Sequence, residues 1–215
     1  MTPSEDFILR QTELAAPPLT PEIKLHLATE VTPLWRATQA NLDQADLPPP
    51  YWAFAWPGGQ ALARYLLDHP HLVRGKRVLD FAAGSGLAAI AAARAGAAQV
   101  TAADIDPFAA AAIALNAQAN GAAVSIMTSD PIGGPVPWDI VLAGDVCYEQ
   151  PMAERAVRWL RSLGDRAIAV LLADPGRAYL PANGLSEVAR YQVPTSLELE
   201  DRQIRETIVW RLAPG

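Results

Sequence analysis

A single cysteine, Cys147, stands among the 215 residues, which excludes an internal disulfide and any cysteine-cluster metal site. Histidine is nearly as scarce. His26, His69 and His71 fall in no grouping with metal-ligand spacing, so no metal is expected. Lysine is almost missing, with Lys24 and Lys76 against fifteen arginines. No apolar run reaches membrane-spanning length, so no membrane partner is expected. The opening stretch MTPSEDFILRQTELAAPPLT has one arginine and several acids. It lacks both the apolar core of a secretion signal and the arginine-rich look of a transit peptide, and the chain reads as a bacterial cytoplasmic protein. Positive charge is also in deficit: the net charge is −6 and the pI about 5.0. Such a surface suits a basic patch on a protein better than nucleic-acid phosphate.

What is present is the composition of a packed chain, 51% hydrophobic and 19% charged, long enough for one full α/β domain. Residues 1–47 form a proline-punctuated arm, in which TPEIKLHLATEV (20–31) is expected as a helix begun by Thr20 and Pro21. Residues 48–215 form the main domain. There GGQALARYLLDHP reads as a helix, KRVLDFA as a strand and GLAAIAAARAG as a helix stopped by Gly96. AQVTAAD, DPFAAAAIALNAQANG, AVSIMTSD, WDIVLAGD, QPMAERAVRWLRSLG and AIAVLLAD continue the alternation of strand and helix. LSEVARYQV and ETIVWRL close the chain as two strands with only a loop between them. Alternation of this kind implies a mostly parallel sheet covered on both faces, here with an antiparallel hairpin at its edge. Ligands of such sheets bind at the carboxyl ends of the strands, where this sequence places Asp80, Asp104, Asp130, Asp145 and Asp174.

The turn Gly84-Ser85-Gly86-Leu87-Ala88-Ala89 satisfies the dinucleotide pattern G-x-G-x-x-A, with Asp104 about twenty residues on. Asp80 decides against that reading. A pyrophosphate docked on the following helix would meet this carboxylate, whereas S-adenosylmethionine has no phosphate and carries an ammonium and a sulfonium. Asp80 then suits the amino-acid end, Asp104 the ribose hydroxyls and Asp130 the adenine amine. Gly84 and Gly86 admit close backbone approach. Ala82 stands where methyltransferases commonly have a further glycine, and ordinary backbone angles are expected there. Ile105, beside Asp104, and Trp56, ahead of the first core helix, complete the expected cofactor contacts.

GDVCYE, Gly144 to Glu149, carries the acceptor side. Its D-x-x-Y spacing turns Asp145 and Tyr148 into one cavity, the first to position an acceptor amine and the second to line its channel. In-line methyl transfer to lysine needs the neutral amine, which at a pKa of ~10.4 costs about 4 kcal/mol near neutral pH. Apolar walls and a nearby sulfonium reduce that cost. Tyr51 and Trp52 are candidate channel walls, since aromatic faces attract methylammonium. Cys147 has no histidine in neighbouring motifs to activate it as a nucleophile.

PYWAFAWPGGQALARYLLDHP, RGKRVLDFAAGSG, DIDPFAAAAIALN, WDIVLAGDVCYE and ADPGR together resemble the electron transfer flavoprotein β-subunit lysine methyltransferases, over about residues 48–177. The resemblance implies a three-layer, Rossmann-like class I methyltransferase fold of seven strands. It also implies S-adenosylmethionine as donor and lysines of the flavoprotein β subunit as acceptors. By position it gives Asp80, Gly84, Gly86, Asp104 and Asp130 to the cofactor, and Asp145 with Tyr148 to the acceptor. Rival readings are a methyltransferase acting on ribosomal protein L11 or a small amine, a nicotinamide-dependent oxidoreductase, and a noncatalytic interaction module. The L11 enzymes carry an additional substrate-binding domain, for which a 47-residue arm leaves little room.

Overall fold

The computed structural model describes residues 1–29, 34, 49–196 and 200–213. The boundary expected at 47/48 and prolines 33 and 48 lie outside them. Seven strands form one sheet: β3 (Arg77–Phe81), β4 (Gln99–Ala103), β5 (Ser125–Met127), β6 (Ile140–Gly144), β7 (Ala169–Asp174), β8 (Leu185–Pro194) and β9 (Ile204–Leu212). Their order is β5-β4-β3-β6-β7-β9-β8. The first five run parallel, and β9 is antiparallel to both β7 and β8. The mostly parallel sheet with its antiparallel edge hairpin is therefore borne out.

Successive residues of a strand face opposite sides, and the two faces bury different helices. Val78, Val100, Leu142 and Leu171 pack with residues of α2 (Pro57–Asp68), α3 (Leu87–Arg94) and α4 (Pro107–Ala119). Leu79, Phe81, Val141 and Leu172 pack against α5 (Gln150–Gly164), through Ala153, Ala156, Trp159 and Leu160. Residues 87–92 of α3 are all buried, because Ile23 and Leu25 of the arm cover the helix flank turned away from the sheet. Asp106 caps α4 by accepting from Phe108 N–H at 2.8 Å, as the Asp-Pro start predicts.

The arm departs from expectation. Its first helix is α1 (Pro3–Gln11), opened by a capping box between Thr2 and Glu5. Residues 25–27 of the expected helix are instead β2 (Leu25–Leu27), paired antiparallel with β1 (Glu13–Ala15). The reason is visible in retrospect as an alternation: Ile23 and Leu25 point inward while Lys24 faces solvent, a period of two rather than 3.6. The β2 segment is then held by side-chain amides at the C-terminal end of α4. Lys24 N–H donates to Asn120 Oδ1 at 3.0 Å and His26 N–H to Asn116 Oδ1 at 2.7 Å.

Candidate active site

The loops after β3, β4, β5, β6 and β7 and the aromatic segment ahead of α2 enclose a cavity of about 920 Å³. Every residue assigned from the sequence to the cofactor or the acceptor lines it except Gly86, and of the strand-end acids Asp174 alone stays outside it. Gly86 begins α3 at φ 77°, and a Cβ there would lie 3.1 Å from Ile113 Cγ1. It serves the packing of the turn on α4.

The β3–α3 turn is held by acids rather than by basic groups. Asp80, 3% exposed, accepts from Ala89 N–H at 2.9 Å. Burial pushes its pKa up to about 8, against the pull of that hydrogen bond, and Asp104 adds to the rise. Asp104 accepts from Gly84 N–H at 2.8 Å and from Asp106 N–H at 3.0 Å, and burial raises its pKa as well. Ala82 departs from the ordinary angles expected of it, with φ 53°. The left-handed region costs alanine roughly 1–2 kcal/mol. It is imposed by the residues that follow, since Ala83 N–H is tied to Ala103 O at 3.0 Å and Gly84 N–H to Asp104. Ile105 is 73% exposed at the mouth. Asp130 lies three residues beyond β5, where it accepts from Ile132 N–H and pairs with Arg155 at 2.6 Å.

Across the cavity, Asp145 follows β6 at φ 54°, a conformation Asp tolerates better than most residues. One carboxylate oxygen accepts from Gly58 N–H at 2.5 Å, at the first turn of α2, and the other from Arg177 at 2.9 Å. Burial raises its pKa to about 6, with Arg177 pulling down and Asp174 pushing up. Glycine at 58 is obligatory, since a Cβ would lie 2.5 Å from Asp145 Oδ2 and 2.6 Å from Ala173 O. Tyr148 stands with its ring 5.2 Å from that of Tyr51. Tyr51 is in turn 5.8 Å from Trp56, whose indole N–H donates to Tyr51 O at 2.8 Å. Trp52 touches the cavity, but it is 2% exposed and stacked on Phe108. Cys147 is buried and its thiol is pushed up to about 12 by that burial, which leaves it protonated and unreactive at neutral pH.

Sequence reasoning passed over Arg177 and Glu200 in this cluster. Arg177 holds Asp145, holds Glu200 at 2.6 Å and lies 5.7 Å from the Trp56 ring centroid. The D-P-G-R turn carried a local signal, because Asp174 accepts from both Gly176 and Arg177 N–H groups at 2.7 and 2.6 Å. Glu200 carried none, since the partner that brings it to this cluster, Arg177, lies 23 residues away in the chain.

Among the described residues no group of three or more His, Cys, Asp or Glu is placed to hold a metal ion, and no helix is long and apolar enough to cross a membrane. The family model for ribosomal protein L11 methyltransferase (PrmA) matches residues 61–146. The fold is similar to that of magnesium protoporphyrin IX methyltransferase from Synechocystis PCC 6803 with bound SAH, with a TM-score of 0.52 and 19% identity over 73% of this chain and 81% of that one. It is thus the class I methyltransferase fold. The electron transfer flavoprotein beta subunit lysine methyltransferase of Xenopus laevis is 40% identical over 97% of this chain and 86% of its own length. The human protein of that name is 38% identical over 97% and 81%. These relatives overturn the expectation of a bacterial cytoplasmic chain, for those that match nearly all of it are animal proteins. With identity of this order sustained along almost the whole sequence, the chain belongs to the electron transfer flavoprotein beta subunit lysine methyltransferase family.

Proposed function

We propose that this protein transfers methyl groups from S-adenosylmethionine to lysine side chains on the beta subunit of an electron transfer flavoprotein. One observation carries the reading: a single cavity joins a buried and a half-buried acid, neither with a basic partner among the described residues, to an aromatic-walled acid that has one.

The residues fit the cofactor. Asp80 and Asp104 are burdened by burial and have no basic side chain against them among the described residues. A ligand bringing an ammonium and a sulfonium relieves them, whereas a pyrophosphate would raise both pKa values further and bring no compensating charge. That argument also disfavours the nicotinamide reading. Asp80 faces the amino-acid end. Asp104 keeps lone pairs for the ribose hydroxyls beyond those given to Gly84 and Asp106. Gly84 presents no side chain toward the cavity, and a Cβ there would meet only Tyr51 O, at 3.8 Å. Trp56 and Ile105 supply apolar cover. Asp130 serves the adenine amine less directly than the sequence suggests, because Arg155 already holds one of its oxygens.

Bound in this half, the cofactor supplies an electrophilic methyl on a sulfonium. The chain's own residues bring an amine to it. Tyr51 and Tyr148 line the approach with ring faces that attract methylated ammonium and exclude water, which favours the neutral amine. Asp145, fixed by Gly58 and Arg177, keeps further lone pairs with which to accept from the amine N–H and aim its own lone pair. The net charge of −6 suits a lysine-bearing partner.

The test is intact-mass spectrometry of the flavoprotein beta subunit after incubation with this protein and S-adenosylmethionine. Mass steps of one methylene each are expected. An unchanged mass, with S-adenosylhomocysteine still bound, would discard this acceptor and turn the search to ribosomal proteins and small amines.

A further inference from the structure

We infer that Arg177 is a positioning residue for the acceptor: held by Glu200, it cancels the charge of Asp145 so that the incoming lysine is not trapped as an ammonium. The inference rests on the lysine-transfer reading above.

A buried, uncompensated carboxylate is a poor partner for a lysine that must react as the free amine. It would form an ion pair, stabilise the protonated form and raise the very pKa that has to fall. Asp145 is not left in that state. The Arg177 guanidinium reaches it at 2.9 Å and grips Glu200 through two nitrogens, at 2.6 and 3.2 Å. Trp56 covers the same group from 5.7 Å. Arg177 is itself placed by the turn it closes, with Gly176 at φ 89° and Asp174 accepting both backbone N–H groups. Glu200 is anchored from the far side by Arg205 at 3.1 Å. The sequence of charges is then Asp145, Arg177, Glu200, Arg205, alternating in sign and close to neutral as a unit.

Among the described residues few other groups bear on Asp145. Asp174 adds negative charge from the end of β7, and α2 presents the Gly58 N–H. Cys147 stays protonated. Tyr148 and Tyr51 keep their protons too, for burial raises both. Among the described residues Arg177 is therefore the cation in direct contact that holds Asp145 ionised and offsets its pull on an ammonium.

The experiment measures kcat/KM for the flavoprotein beta subunit against pH for the wild type, Arg177→Gln, Arg177→Lys and Glu200→Gln. The KM for S-adenosylmethionine is measured alongside. Removing the guanidinium raises the pKa of Asp145 and, once Asp145 ionises, that of the bound lysine. Both effects move the rising limb of the profile to higher pH, by about one unit or more. Glu200→Gln frees the charge of Arg177 and moves the limb the opposite way. Arg177→Lys restores most of the wild-type profile, and the KM for S-adenosylmethionine stays within about threefold throughout. Loss of a merely structural tether would weaken both variants without shifting their limbs in opposite directions. Limbs that stay put, or move the same way, overturn the inference. Should Arg177→Gln fail to fold, the acid shift of Glu200→Gln decides alone. A wild type that methylates no lysine removes the parent reading and this one together; a wild type that does, with unmoved variants, removes this one only.

Discussion

The two halves of the cavity handle buried acid in opposite ways. Around β3 and β4, Asp80 and Asp104 are held, among the described residues, by backbone N–H groups alone, and burial raises the pKa of each. Around β6, β7 and β9, Asp145 and Glu200 are held by arginines. A half with unbalanced carboxylates is prepared to receive positive charge. A half whose charges already alternate is prepared to receive a neutral group. Methyl transfer from a sulfonium to an amine needs one of each, and the contrast explains why acids at successive strand ends have different partners.

Substitutions that exchange the effects of the two halves would break this contrast. The largest effect is expected for Asp145→Asn. It should lower kcat/KM for the protein acceptor by about 100-fold through misplacement of the amine, while calorimetric affinity for S-adenosylhomocysteine stays within about threefold. Equal losses in both would mean that the halves are not separate. Asp104→Asn should do the reverse, lowering cofactor affinity by about tenfold or more through weaker bonds to the ribose, with little change in acceptor KM. Glycine-to-alanine changes sharpen the contrast in stability. Gly58→Ala drives a methyl against Asp145 and the β7 carbonyl and should cost about 1–3 kcal/mol in denaturant unfolding. Gly84→Ala meets open cavity and should cost only the left-handed backbone term, about 1 kcal/mol.

The smallest signal belongs to Asp80. With a folded pKa of about 8 it is mostly protonated at pH 7, so binding a cationic cofactor should release part of a proton. Calorimetry in buffers of different ionisation enthalpy measures that release. The sign for stability follows from the same shift. A carboxyl whose folded pKa is raised stabilises the fold fully below its unfolded pKa of about 3.9, and that contribution is lost as pH rises through about 8. Asp80→Asn should flatten this part of the melting-temperature profile, and an unaltered profile would contradict the burial argument.

Much of this was legible in the sequence, and the limits have physical causes. The parallel strands announce themselves through apolar runs that end in acids, and the glycine turn through its spacing. The β2 segment was misread because Pro21 and Thr20 make a plausible helix start, while the alternation of Ile23 and Leu25 is only two residues deep. Ala82 was misread because local preference opposes its angle, and only the hydrogen bonds of Ala83 and Gly84 override it. Arg177 and Glu200 escaped for a different reason. Their partnership spans 23 residues of chain and Arg177 reaches Asp145 across 32, separations that no local pattern encodes.

The amide of Asn116 has a consequence for how the molecule comes together. It accepts from His26 N–H in the arm and donates to Ser85 O in the glycine turn, at 2.7 and 2.9 Å, so one side chain buckles three distant parts of the chain. The anchor of the arm is synthesised 90 residues after the segment it holds, a delay of roughly 5–20 s at ordinary rates of synthesis. Docking of the arm thus waits on α4, and the amide that receives it is the one that also supports the glycine turn.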